Sequence, residues 1–251
     1  MKNTFAGHGR GYLEGPPRQV PGFASLHRMV EMLLAERVPP DGRVLVLGAG
    51  GGMELKALAD AQPGWTFNGV DPSADMLELA AETVGPHADR VRLHHGGIEA
   101  APEGPFDGAT CLLVFHFIDR AERARILSGL RQRLKPGAPF LLMHISFPQT
   151  EPERSQWIAR HAAYGAPPGT NPAHLAAARE AIGTRLSILS PDEDEAMLTE
   201  AGFGQISLFF CRPELQGVGL LCKLRTRFRR KVQVLRKPDP SSCRVERHRA
   251  S

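Results

Sequence analysis

From Phe23 to Val38 the apolar side chains Leu26, Met29, Val30, Leu33 and Leu34 recur at the three- and four-residue intervals of a helix. Pro39-Pro40-Asp41-Gly42 stops that helix. Arg43–Leu47 is then a short, continuous apolar run, the pattern of a strand buried on both faces. The glycine run Gly48-Ala49-Gly50-Gly51-Gly52 follows directly, and helical spacing resumes over Met53–Ala61. The alternation repeats, with strands expected at Trp65–Asp71, Arg90–His95, Phe106–Phe117 and Pro139–Ser146. Helices are expected at Ser73–Val84 and Arg120–Leu134. Strands alternating with helices of this length predict an α/β fold, a mostly parallel sheet with helices on both faces.

After Phe147 the rhythm changes. Residues 148–189 are Ala-rich and mostly helical in pattern, broken by Gly165-Ala166-Pro167-Pro168-Gly169-Thr170. Ser190-Pro191-Asp192-Glu193 has an N-cap hydroxyl, a proline at the first helical position and a glutamate placed to close a capping box. That helix is expected to end at Gly202, with two final strands at Gly204–Cys211 and Val218–Cys222. Residues 1–21, rich in Gly and Pro, form an N-terminal arm. The main domain is expected over 22–222, carrying the helical insertion 148–189.

Charge separates the last segment from the rest. Residues 223–251 hold eleven Lys/Arg against Asp239 and Glu246, a local +9, while the first 222 residues carry 20 bases and 25 acids. This basic tail reads either as a solvated extension or as an RNA-attracting segment. Removing residues 224–251 is expected to leave the fold and cofactor binding intact. The start of the chain lacks a signal-type apolar stretch, and no run of roughly eighteen apolar residues occurs. The expectation is therefore a cytoplasmic chain without a membrane span. Cys111, Cys211, Cys222 and Cys243 are widely spaced, and no histidine pair has ligand spacing, so no metal site is expected.

The glycine run is where chemistry enters. A chain leaving a buried strand must turn sharply and let a ligand approach its backbone, and the next helix aims free N–H groups at that ligand. A dinucleotide fingerprint would place glycine at position 53, where Met53 stands. Asp71 ends the second expected strand nineteen residues past Gly52 and offers two acceptor oxygens to a vicinal diol. It equally suits a helix start before Pro72-Ser73.

The segments VLVLGAGGG, FNGVDPSADMLELA, FDGATCLLVFHFI and LRQRLKPGAPFLLM resemble, in order, the motifs of class I S-adenosylmethionine (SAM)-dependent methyltransferases, over roughly residues 20–222. The resemblance implies a seven-stranded sheet with an antiparallel last strand. It also implies SAM held by Gly48, Ala49, Gly50, Gly52, Asp71, Pro72, Met76, Gly97, Ile98 and Leu113. Within that family, VPGF with the following helix and the ending LTEAGF…LFFC are similar to the carboxy-SAM synthase branch, which acts in tRNA wobble-base modification. That branch expects tyrosine at Phe23, asparagine within Leu112–Phe115 and an arginine corresponding to Arg179. The family's first motif usually has an acid at Val46, for which Glu54 is the nearest substitute in sequence. The third strand usually ends in Gly-Asp, so Gly96-Gly97-Ile98-Glu99 leaves the adenine contact to the Ile98 backbone or to Glu99.

Methyl transfer depends mainly on alignment of acceptor and methyl group, with a base required only where the acceptor must lose a proton. His116, Tyr164 and Arg179 are the candidates for acceptor chemistry. His116 suits a core role equally well, and His144 reads as structural. Three functions remain open: methylation of a small molecule, a carboxy-SAM-type activity, and a non-catalytic nucleic-acid-binding module. A homodimer is implied by resemblance only.

Overall fold

The computed structural model describes residues 9–209 together with Leu220 and Leu221, with side chains described from residue 11 to residue 209. A 3-10 turn at Gly9–Glu14 leads into α1 (Gly15–Gln19) and α2 (Phe23–Ala35). Five repeats of the strand pattern follow: β1 (Arg43–Leu47), α3 (Met53–Ala61), β2 (Thr66–Asp71), α4 (Ala74–Val84), β3 (Val91–His95), β4 (Gly108–Leu112), α5 (Arg120–Arg133) and β5 (Phe140–Met143). Then come α6 (Glu153–Tyr164), α7 (Pro172–Arg185), α8 (Pro191–Glu200) and β6 (Leu220–Leu221).

The sheet runs in the order β3-β2-β1-β4-β5-β6. The first five of these strands are mutually parallel, and the two-residue β6 lies antiparallel to β5. Six strands are therefore described where seven were expected. The segment Gly204–Cys211 is not a strand over its described part. Gln205 takes a positive φ of 58°, which breaks extended backbone, and only Leu208 forms an isolated bridge. The remainder of that segment and of Val218–Cys222, apart from β6, lies outside the described residues, as does the basic tail with Cys211, Cys222 and Cys243.

Alternation along β1 divides the core. Leu45 and Leu47 join a cluster with Ile126, Leu127 and Leu130 of α5 and Met197 and Leu198 of α8. Val44 and Val46 join the opposite cluster with Leu26, Val30 and Leu34 of α2 and Leu55 and Leu58 of α3. Both faces of the sheet are thus covered, as a parallel sheet requires.

The fourth strand is shorter than its apolar run. β4 ends at Leu112 because Leu113 turns into the left-handed region, φ 60°, while its N–H donates to Met143 O at 2.6 Å. The chain continues as a 3-10 turn over Phe115–Phe117. Phe115 and Ile118 stay buried in the α5 cluster, so apolarity persists after the sheet pairing has stopped. Ser190 and Glu193 form the complete capping box at the start of α8. Among the described residues no helix is long and apolar enough to cross a membrane. No group of three His, Cys, Asp or Glu side chains among them could hold a metal ion.

Candidate functional site

The sheet order changes direction between β1 and β4, so the carboxyl ends of these neighbouring strands open a crevice where α/β proteins bind ligands. The glycine run lines it. Gly48, Gly50 and Gly52 all have positive φ, at 78°, 49° and 81°. Gly48 and Ala49 both donate to Val70 O, at 2.8 and 3.0 Å, which fastens the turn to β2. A Cβ at Gly52 would lie 2.8 Å from Ala80 Cα, so only glycine lets α3 and α4 approach this closely.

Asp71 ends β2 beneath this turn. Its Oδ2 accepts the Gly50 N–H and its Oδ1 accepts the Ser73 N–H, both at 2.9 Å. Burial raises its pKa, and the two backbone donors work against that rise. Each oxygen keeps a lone pair beyond the one already used. Ser73 supplies the N-cap of α4, accepting the Met76 N–H at 3.4 Å, so Asp71 is freed from the capping role. The N-terminal segment covers the turn: a Cβ at Gly50 would meet Tyr12 Oη at 3.2 Å, and one at Gly51 would meet Leu13 Cδ2 at 2.9 Å. The Tyr12 pKa is raised by burial and by the nearby Asp71 carboxylate.

The other cofactor candidates converge from two further strands. Pro72 and the buried Met76 follow Asp71. Gly97 and buried Ile98 follow β3, and Leu113 follows β4. The Gly97 N–H donates to Glu99 Oε1 at 3.0 Å, and Glu99 Oε2 lies 3.3 Å from Arg125. Glu99 is exposed, and these partners hold its pKa low. Ile98 is the buried member of the pair expected to meet adenine.

Val46 has Thr110 as its register neighbour on β4. Glu54, in the first turn of α3, is buried beside Thr110, and burial pushes its carboxyl up to about 7. Neither Glu54 Oε1 nor Thr110 Oγ1 has a hydrogen-bond partner among the described residues. A buried carboxyl of α3 therefore lies beside Thr110, the register neighbour of Val46.

A cavity of about 990 Å³ lies between the carboxyl end of the sheet and the helices α6 and α7. It adjoins the glycine turn through one short stretch: a Cβ at Gly48 would strike Val114, and His116, two residues on, forms part of the cavity wall. His116 is buried, and burial, together with the neighbouring His144, His161 and Arg123, holds its pKa well below the ordinary histidine value. Its Nδ1 accepts the Ile145 N–H at 3.4 Å.

Arg123 holds this wall in place. Fully buried, it donates from Nε to Phe115 O and Ile118 O at 3.0 and 2.9 Å, on either side of His116. Its Nη1 pairs with Asp194 Oδ1 at 3.0 Å and its Nη2 donates to Ser187 O. Ser187 N donates in turn to His116 O at 2.8 Å.

Of the acceptor candidates only His116 reaches the cavity. Tyr164 and Arg179 are exposed and stand outside its lining. On α7 the lining positions are His174, Leu175, Ala178, Ala181, Ile182 and Arg185, and Arg179 sits roughly 100° around the helix from the centre of that set. Arg185, His161 of α6 and Gln19 of α1 line the cavity, and the sequence reading passed over all three. The Ala-rich run of α7 has little amphipathic contrast to mark Arg185 as a lining residue.

Residues 45–140 match the methyltransferase domain family. In fold, in this domain match and in the glycine–aspartate site, the chain is similar to class I SAM-dependent methyltransferases. Among curated proteins it is 21% identical over 193 residues to the carboxy-S-adenosyl-L-methionine synthase of Campylobacter curvus, covering 77% of this chain and 82% of that one. It is 27% identical over 202 residues to the synthase of Pseudomonas fluorescens, covering 77% and 81%. Among solved structures, a putative O-methyltransferase from Nostoc punctiforme superposes with a TM-score of 0.60 at 21% identity, over 81% of this chain and 57% of that one. Human N-acetylserotonin methyltransferase, solved in complex with SAM, gives 0.55 at 17%, over 80% and 52%. The chain therefore spans only about half of the length of these two structures.

The residues present fit SAM: a turn open to a ligand only because it lacks side chains, and a buried carboxylate with spare acceptor capacity. When bound, SAM supplies an electrophilic methyl group on a sulfonium. A protein that uses SAM in this way has to bind and orient both reactants and to exclude water.

Proposed function

We propose that the chain transfers the methyl group of SAM to a small molecule held in the cavity under α6 and α7. The observation that carries this is the single short stretch from Val114, against Gly48, to His116 in the cavity wall. It sets an acceptor pocket beside the cofactor turn. In this reading Gly48, Ala49, Gly50, Gly52, Asp71, Pro72, Met76, Gly97, Ile98 and Leu113 hold SAM, and His116 contacts the acceptor. Calorimetry with SAM tests the cofactor half of the reading, and absence of binding at millimolar ligand overturns it.

A carboxy-SAM synthase-like activity is the second reading, favoured by the curated relatives. Against it stands Arg179, which faces away from the cavity. Mass spectrometry of the small molecule retained through purification separates the two. SAM or its demethylated product supports methyl transfer, and a molecule heavier by one carboxylate supports the second reading.

A further inference from the structure

Resting on the methyl-transfer reading, we propose that the acceptor presents an oxygen already ionised at neutral pH, a carboxylate, received by N–H donors from His116 and His161. The tautomers set the argument. Because His116 Nδ1 accepts the Ile145 N–H, the single proton of the neutral ring sits on Nε2. His161 buries Nδ1 without any hydrogen-bond partner among the described residues. An orphaned lone pair costs less than an orphaned N–H, so its proton also sits on Nε2. Both residues line the cavity, and they are near enough for the charge of one to act on the other. Burial keeps both rings neutral. With both protons on Nε2, the two rings offer N–H donors that suit an acceptor group with oxygen lone pairs.

The rest of the lining agrees. Asp119 is committed to capping α5, accepting the Glu122 N–H at 2.9 Å, and Glu122 is paired with Arg125 at 2.7 Å. His174 is exposed. Among the described residues no buried group of the lining is placed to take a proton from the acceptor. Arg185, exposed at the edge of the same cavity, adds a positive charge there. With a carboxylate acceptor none of these groups has to act as a base. The oxygen lone pair forms the O–CH3 bond, the C–S bond breaks with its pair going to sulfur, and the products are a methyl ester and S-adenosylhomocysteine. No proton needs a destination.

The test uses the full chain loaded with S-adenosylhomocysteine and saturation-transfer NMR at neutral pH. The probes are benzoate, phenylacetate and hexanoate, each beside its methyl ester and primary amide. The expected result is roughly ten-fold or greater preference for each carboxylate, as hydrogen bonds to a charged group give. His161→Phe is expected to lose most of that preference, and His161→Gln, which keeps a neutral N–H donor, to retain it. SAM affinity should be unchanged in both variants. Esters or amides binding as well as the acids, no probe binding at all, or an unaltered preference in His161→Phe overturns the inference. Failure of the chain to bind SAM overturns the functional reading itself, whereas SAM binding without carboxylate preference overturns this inference alone.

Discussion

Arg123 and Asp194 form an ion pair with both side chains buried, Nη1 to Oδ1 at 3.0 Å, that joins α5 to the first turn of α8. Replacing Arg123 by Met leaves a buried carboxylate without its cation and releases the carbonyls of Phe115, Ile118 and Ser187. A loss of about 3–5 kcal/mol is expected, the usual cost of breaking a buried pair from one side. Urea unfolding measures it, and a loss below about 1 kcal/mol would show the pair to be dispensable.

Asp71→Asn removes the charge and one of the two acceptor oxygens now holding the Gly50 and Ser73 N–H groups. SAM affinity is expected to fall by about 1.5–3 kcal/mol, or roughly ten- to a hundred-fold. Calorimetry reads the affinity, with far-ultraviolet circular dichroism confirming that the fold persists.

Glu54 makes stability depend on pH in an unusual direction. Its folded-state pKa of about 7 lies above the ordinary 4.5, so the folded chain holds the proton more tightly than the unfolded chain. Its contribution is fully present below the unfolded value and is lost as pH rises through the folded one. Between pH 4.5 and 8.5 that is about 3 kcal/mol. Glu54→Gln should remove this slope. Denaturant midpoints of both proteins across that range check it, and equal slopes would refute the assignment.

Gly52→Ala places a methyl group 2.8 Å from the Ala80 backbone at a φ of 81°. The expected destabilisation is about 1–3 kcal/mol or more, read as a lower Tm, with weaker SAM binding as α3 shifts. An unchanged Tm would mean that α4 can retreat freely.

The parts of this fold visible in sequence are those set by local periodicity. Arg43–Leu47, Met53–Ala61 and the Ser190–Glu193 cap all lie where spacing and capping chemistry put them. Asp71 was visible because strand end and glycine turn adjoin through fixed topology. The end of β4 was not, because Phe115 and Ile118 are as apolar as a strand but are buried by α5 instead of by pairing. The position of Arg179 outside the cavity lining was not legible for a related reason: which side of α7 faces the cavity depends on how α6 and α7 pack on the sheet, and the Ala-rich pattern carries little amphipathic contrast. The buried Arg123 gave no sign, since the Ser187 carbonyl and the Asp194 carboxylate that it joins lie 64 and 71 residues away.

The stretch from Tyr12 to Gln19 touches the glycine turn at one end and the cavity at the other. One end of this eight-residue stretch, Tyr12 and Leu13, thus meets the glycine turn, and the other, Gln19, meets the cavity. On the proposed reading, a change that shifts this segment is expected to alter acceptor range and cofactor affinity together. Anyone seeking to broaden the acceptor range without weakening cofactor retention should work from α6 and α7.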